Sequence, residues 1–149
     1  MEQGDVVDDF ELPDQTGTVR KLSELVADGP VVLFFYPAAM TKGCTAESCH
    51  FRDLSAEFAA AGGQRVGISG DTVEKQKEFS DTYEFDYPLL SDTDGTVAEL
   101  FGVKRSFGPI PMKRATFVID RDRTILAVIK SEIRMSVHAD KALEVLKAS

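Results

Sequence analysis

Two cysteines, Cys44 and Cys49, stand five residues apart and are the only two in a chain of 149 residues. They sit in the segment Tyr36-Pro37-Ala38-Ala39-Met40-Thr41-Lys42-Gly43-Cys44-Thr45-Ala46-Glu47-Ser48-Cys49. A thiolate beside a cation or at a helix N-terminus is a nucleophile, and its attack on an O–O bond leaves a sulfenic acid. Arg114, at the head of a β-rich run, can supply the cation and polarise a peroxide; Arg105, Arg52 and Arg134 are weaker candidates. Thr41, three residues before Cys44, offers a hydroxyl to the sulfur or to a peroxide oxygen, and Pro37 can shield the sulfur from water. Glu47 reads as a first-turn carboxylate suited to the helix dipole, a structural role. His50 and His138 raise the question of metal, but with Cys44 and Cys49 they lack the paired spacings of zinc sites. Taken alone, the two cysteines could equally be buried apolar thiols.

The elements around this segment give the cysteines their meaning. Val31 to Tyr36 is a continuous β-branched and aromatic run, as in a strand covered on both faces. Pro37 stops it and a loop follows to Gly43. From Thr45 the pattern turns helical, with Phe51, Leu54, Phe58 and Ala61 on one face, and Gly62-Gly63 closes the helix. Cys44 thus falls where a loop leaves the carboxyl end of a central strand and enters a helix, the place where open α/β sheets bind ligands. Unpaired N–H groups and the positive end of the macrodipole favour a thiolate there.

If both cysteines are helical, roughly 140° and 7.5 Å separate them around and along the axis, so their Cα atoms lie roughly 8.7 Å apart. A disulfide needs less than about 7 Å. The expectation is that the Gly43–Cys49 segment unwinds after sulfenic acid forms, with Gly43 as hinge, so that Cys49 can resolve it.

Elsewhere, Asp9 to Leu12 and Val19 to Leu22 read as the arms of a hairpin about the turn 13–17. Arg65 to Ser69 is a second core strand, and Asp71 an N-cap with Glu74 as its capping-box partner, for a helix reaching about Tyr83. Tyr87 to Leu90 is a short strand, and Val97 to Phe101 a short helix closed by Gly102. Ala115 to Asp120 and Thr124 to Lys130 form a hairpin about Arg121-Asp122-Arg123. Ala139 to Lys147 is an amphipathic helix. The order predicts an α/β fold: a thioredoxin-like domain over 1–149, its central mixed sheet flanked by helices, with an N-terminal β-hairpin extension.

Composition narrows the function. Acidic side chains outnumber basic ones 25 to 17, for a formal charge of −8, so nucleic acid is not an expected partner. The longest apolar run is too short to span a bilayer and the N-terminus lacks the pattern of a secretory signal, so a cytoplasmic protein without a membrane partner is expected. In a reducing compartment, two close cysteines point to redox chemistry or metal rather than a structural staple.

The cysteine segment resembles the bacterioferritin comigratory protein, or PrxQ, branch of the peroxiredoxins. The residues that carry this are Tyr36-Pro37, Thr41, Gly43-Cys44-Thr45, Glu47, Cys49 and Arg52-Asp53. The strand Arg114-Ala115-Thr116-Phe117-Val118-Ile119-Asp120 and the early Asp9-Phe10-Glu11-Leu12-Pro13-Asp14 and Gly17 are similar too, so the resemblance covers nearly the whole chain. It implies a thioredoxin fold, Cys44 as peroxidatic and Cys49 as resolving cysteine, and a peroxide site of Pro37, Thr41 and Arg114. It also implies hydroperoxide substrates, thioredoxin or a similar dithiol as reductant, and neither metal nor organic cofactor. A monomer is expected, since the branch includes monomers and nothing in the sequence demands a dimer. Two departures stand out. Ala38-Ala39-Met40 replaces a polar stretch, which favours alkyl hydroperoxides. Lys42 stands where proline is common, which loosens the loop. The rival readings are a thiol–disulfide oxidoreductase, which lacks its Cys-x-x-Cys pair here, and a redox-sensing module without turnover.

Overall fold

The computed structural model describes residues 1–105, 112–132 and 134–149. Strand β1 (Glu11–Pro13) pairs antiparallel with β2 (Val19–Lys21) as a separate two-stranded sheet. A short helix α1 (Leu22–Leu25) and one 3₁₀ turn (Val26–Asp28) lead into β3 (Val31–Phe35). Then come α2 (Lys42–Asp53), α3 (Ser55–Ala60), β4 (Gln64–Ser69), α4 (Val73–Tyr83) and β5 (Leu89–Ser91). The chain continues through α5 (Thr96–Leu100), β6 (Ala115–Ile119), β7 (Ile125–Lys130) and α6 (Ser136–Ala148). The main sheet runs β5-β4-β3-β6-β7. Strands β3, β4 and β5 are parallel, while β6 pairs antiparallel with both β3 and β7, so the sheet is mixed.

Strand alternation sorts the core into two layers. Val31, Leu33, Phe35, Val66, Ile68, Ala115, Phe117 and Ile119 face one way, covered by α1, the 3₁₀ turn and α5. Val32, Phe34, Tyr36 and Val118 face the other way, covered by α2, α3, α4 and α6. On this second face Phe34 stacks on Phe51 of α2, with centroids 4.1 Å apart. Gly67 of β4 leaves room for those rings: a Cβ there would lie 2.8 Å from Leu89 and 3.0 Å from Phe34.

Several sequence expectations shift by a residue or more. Helix α2 begins at Lys42, not Thr45, and it breaks at Leu54 instead of running on to Gly62 as one helix. Helix α3 ends as expected at the double glycine: Gly63 N–H donates to Phe58 O and Gly62, at φ 76°, donates to Ala59 O. The cap of α4 is Thr72, whose hydroxyl accepts from Lys75 N–H. Asp71 is not the cap, because its carboxylate accepts instead from Ala39 N–H and Ser69 Oγ. Among the described residues, no helix is long and apolar enough to cross a membrane.

Candidate active site

Helix α2 opens with Thr41 at its N-cap, in extended backbone, so Cys44 lies in the first turn. The preceding residue pair is bent sharply: Met40 has φ 67°, a left-handed conformation that a non-glycine residue holds only when its surroundings impose it. The Asp71 carboxylate provides one such restraint by binding Ala39 N–H at 2.7 Å. The loop from the end of β3 therefore delivers Cys44 into the packed layer under α2, where it is buried.

Arg114 arrives from the other side. It immediately precedes β6 and shares the face of Thr116 and Val118, which points toward α2 and α6. Its Nη2 donates to Cys44 Sγ at 3.1 Å. Its Nη1 donates to Glu47 Oε1 at 2.5 Å. Cys44 and Glu47 are three residues apart on one helix, so a single guanidinium fork reaches both. Burial opposes the guanidinium's charge, but Glu47 and Cys44 outweigh it, and the group's pKa rises. The Glu47 carboxyl is fully buried, and desolvation pushes its pKa up to about 8 against the pull of Arg114. The carboxyl and the thiol thus share one guanidinium, which faces the sulfur through Nη2. Arg114 is fixed through its backbone too: its N–H donates to Glu132, whose other oxygen pairs with Arg105.

Cys49 is half-buried on a different face of α2, and burial pushes its thiol pKa up. Both cysteines are free thiols and the helix between them is wound, so the separation expected of two helical residues holds. The Thr41 hydroxyl is exposed and donates to Ala38 O at 2.8 Å. It is not bonded to the sulfur, but its lone pairs remain free to accept. Pro37 is half-buried directly after the strand run that ends in Tyr36. The structure thus joins Cys44 to Arg114 and leaves Thr41 and Pro37 on the loop around them. Arg52 binds Tyr83 O and Asp53, away from the sulfur. His50 pairs with Asp140 and His138 lies behind Glu47, so the two histidines serve different places.

Glu47 is the residue whose part in the site the sequence reading understated. The signal was present in the three-residue spacing from Cys44, which puts both on one helical face. Glu132 and Thr116 were not singled out for the site, and His138 was raised only as a metal question. Thr116 alternates with Arg114 along β6, which was readable; the other two carry no local signal.

The chain as a whole is matched by known proteins. A model of the AhpC/TSA family matches residues 3–128. The chain belongs to this family. It is similar to peroxidoxin BcpB from Mycobacterium tuberculosis, whose crystal structure superposes with a TM-score of 0.96 at 64% identity, covering 99% of this chain and 97% of that one. A structure of the Xanthomonas campestris bacterioferritin comigratory protein matches at TM-score 0.85 and 30% identity, over 93% and 90% of the two chains. The chloroplastic peroxiredoxin Q of Gentiana triflora is 36% identical over 150 residues, 100% of this chain and 68% of its own. The protein is a peroxiredoxin with the thioredoxin-like fold of its family, and its activity is thiol-dependent peroxide reduction. That family assignment disfavours both the thiol–disulfide oxidoreductase and the turnover-free sensor.

Proposed function

We propose that this peroxiredoxin reduces hydroperoxides at Cys44 and recovers through a Cys44–Cys49 disulfide that a thioredoxin-like dithiol then reduces. The observation that carries the proposal is the 3.1 Å contact of Arg114 Nη2 with Cys44 Sγ in the first turn of α2. The thiolate attacks one peroxide oxygen and the O–O bond breaks. Cys44 becomes a sulfenic acid, and the departing alkoxide or hydroxide takes up a proton to leave as alcohol or water. Arg114 stabilises the negative charge on sulfur and on the breaking bond. Thr41 accepts a hydrogen bond from the peroxide while its own hydroxyl keeps donating to Ala38 O, and Pro37 closes the loop over the sulfur. Cys49 then attacks the sulfenic sulfur and expels water, once the α2 segment between the two cysteines has unwound. No bound metal or organic cofactor enters this cycle.

The residues Ala38-Ala39-Met40 line the loop beside Cys44, with Ala39 and Met40 packed in the same apolar layer. This supports alkyl hydroperoxides as favoured substrates. Alkyl peroxide reduction is named for the Xanthomonas relative. We further propose that the chain works as one domain, as a monomer, in the cytoplasm.

The test is peroxide consumption coupled to thioredoxin and its reductase. Cys44→Ser is expected to abolish turnover. Cys49→Ser is expected to keep the first oxidation and lose recycling. A Cys44→Ser protein that turns over as wild type would overturn the proposal, and better catalytic efficiency with hydrogen peroxide than with alkyl peroxides would overturn the substrate preference.

A further inference from the structure

Behind the reactive sulfur lies a second layer of polar side chains with no step in the proposed cycle. Glu47 Oε1 is bonded to Arg114, but Oε2 is buried and has no hydrogen-bond partner among the described residues. Facing it at 3.6 Å is Nδ1 of His138, an imidazole that is itself fully buried. His138 is fixed on two further sides. Its Nε2 meets Ser131 O at 2.8 Å and its Nδ1 meets Thr116 Oγ1 at 2.8 Å. Burial holds the ring neutral, so Nε2–H donates to the Ser131 carbonyl and Nδ1 accepts from the Thr116 hydroxyl.

A leucine-sized side chain could fill this place without any need for hydrogen bonds, and burying an imidazole without partners would be costly. Here the ring joins four pieces of structure. Thr116 belongs to β6, Ser131 follows β7, His138 lies in the first turn of α6, and Glu47 belongs to α2. The guanidinium fork of Arg114 depends on the orientation of the Glu47 carboxyl, and on the Oε2 side His138 is what that carboxyl meets. If the ring edge were removed, the carboxyl could turn or take in water, and Arg114 would swing with it, off the sulfur.

We infer that His138 is a positioning residue of the peroxidase site: its ring, oriented by Thr116 and Ser131, packs its Nδ1 edge against the Glu47 carboxyl and so keeps that carboxyl, and through it the Arg114 guanidinium, in register with the Cys44 sulfur. The inference rests on Cys44 being the reacting residue.

The imidazole edge offers a stereochemical test. Asparagine at 138 keeps a polar atom where Nδ1 lies, whereas glutamine keeps one where Nε2 lies. The quantity to measure is the single-turnover rate of Cys44 oxidation by hydrogen peroxide, with thermal melting followed in parallel. His138→Asn is expected to keep most of the wild-type rate, while His138→Gln and His138→Leu lose about tenfold or more, as for a misplaced catalytic group. Should the ring serve only as an anchor to Ser131, glutamine would restore the rate as well as asparagine, and the inference would be overturned. Folded variants that all oxidise at the wild-type rate would overturn it as well. Thr116→Val keeps the shape of β6 and removes only the hydroxyl on Nδ1. It is expected to slow oxidation with little change in melting, and a wild-type rate in that variant counts against the inference even if the His138 variants do not fold. Peroxide consumption that persists at the wild-type rate in Cys44→Ser would instead overturn the underlying reading of the reactive thiol.

Discussion

Glu47 combines a cost to stability with a use in the site. An acid fully buried under α2 loses its hydration, and Arg114 offsets that only in part, so its pKa is pushed up to about 8 from an ordinary 4.5. The folded state therefore keeps a proton that the unfolded state has released throughout that window. Stability should fall as pH rises from about 4.5 to about 8, since the folded state binds more protons there. His138 acts in the opposite sense: burial lowers its pKa below 6.5, so its contribution is lost as pH falls beneath that value. Chemical denaturation across the window is expected to show a shallower loss on the alkaline side for Glu47→Gln, and an unchanged slope would contradict the assignment. The thiols were legible in the sequence because so few cysteines occur and because their strand–loop–helix setting is a local pattern. Glu47 was placed correctly on the helix but given only a structural role, because local sequence does not say which helical face meets an arginine 67 positions away.

At the scale of the element, α2 is anchored unevenly. Its first turns are held by Arg114 through Cys44 and Glu47. Its later turns are held by Tyr87 OH on Ser48 O at 2.7 Å, by Arg65 on Phe51 O at 2.9 Å and by the stack of Phe34 on Phe51. Oxidation of the sulfur disrupts its contact with Arg114, so unwinding is expected to start from the N-terminus and stop near Phe51. Hydrogen exchange should show amides 44–49 losing protection in the disulfide form while those of α3 keep it; equal protection throughout would contradict this. Gly67 tests the layer on which α2 rests. Gly67→Ala presses a methyl against Leu89 and Phe34, and a loss of about 1–3 kcal/mol in urea denaturation is expected. The long strands and amphipathic helices were readable from periodicity, whereas α1, with four residues, is too short to show a period. The start of α2 was hidden because Lys42-Gly43 carries no apolar signal and the Thr41 side chain makes no cap bond.

At the scale of the molecule, both helical layers pack on one five-stranded sheet, so the reduced chain is expected to unfold in a single transition. A disulfide ordinarily stabilises by restricting the unfolded chain, and a loop as short as 44–49 contributes about 2 kcal/mol on that account. Here the bond also removes the first turns of α2, the Arg114–Cys44 contact and the packing around Glu47. The oxidised form should therefore melt below the reduced one in calorimetry, and a higher melting temperature would contradict this. The mixed sheet and its N-terminal hairpin followed from the order of elements. The convergence of β6, the end of β7, α6 and α2 on one buried imidazole did not, because it arises only when segments distant in sequence are packed together.

The Tyr87 hydroxyl on the Ser48 carbonyl has a practical consequence. The chain contains no tryptophan and three tyrosines, Tyr36, Tyr83 and Tyr87, so its ultraviolet emission comes from few rings. One of these rings touches the backbone between the two sulfurs. Release of that phenol as the cysteines approach each other is expected to give the protein a built-in optical signal, by which catalysis could be followed in a stopped-flow cell without any dye.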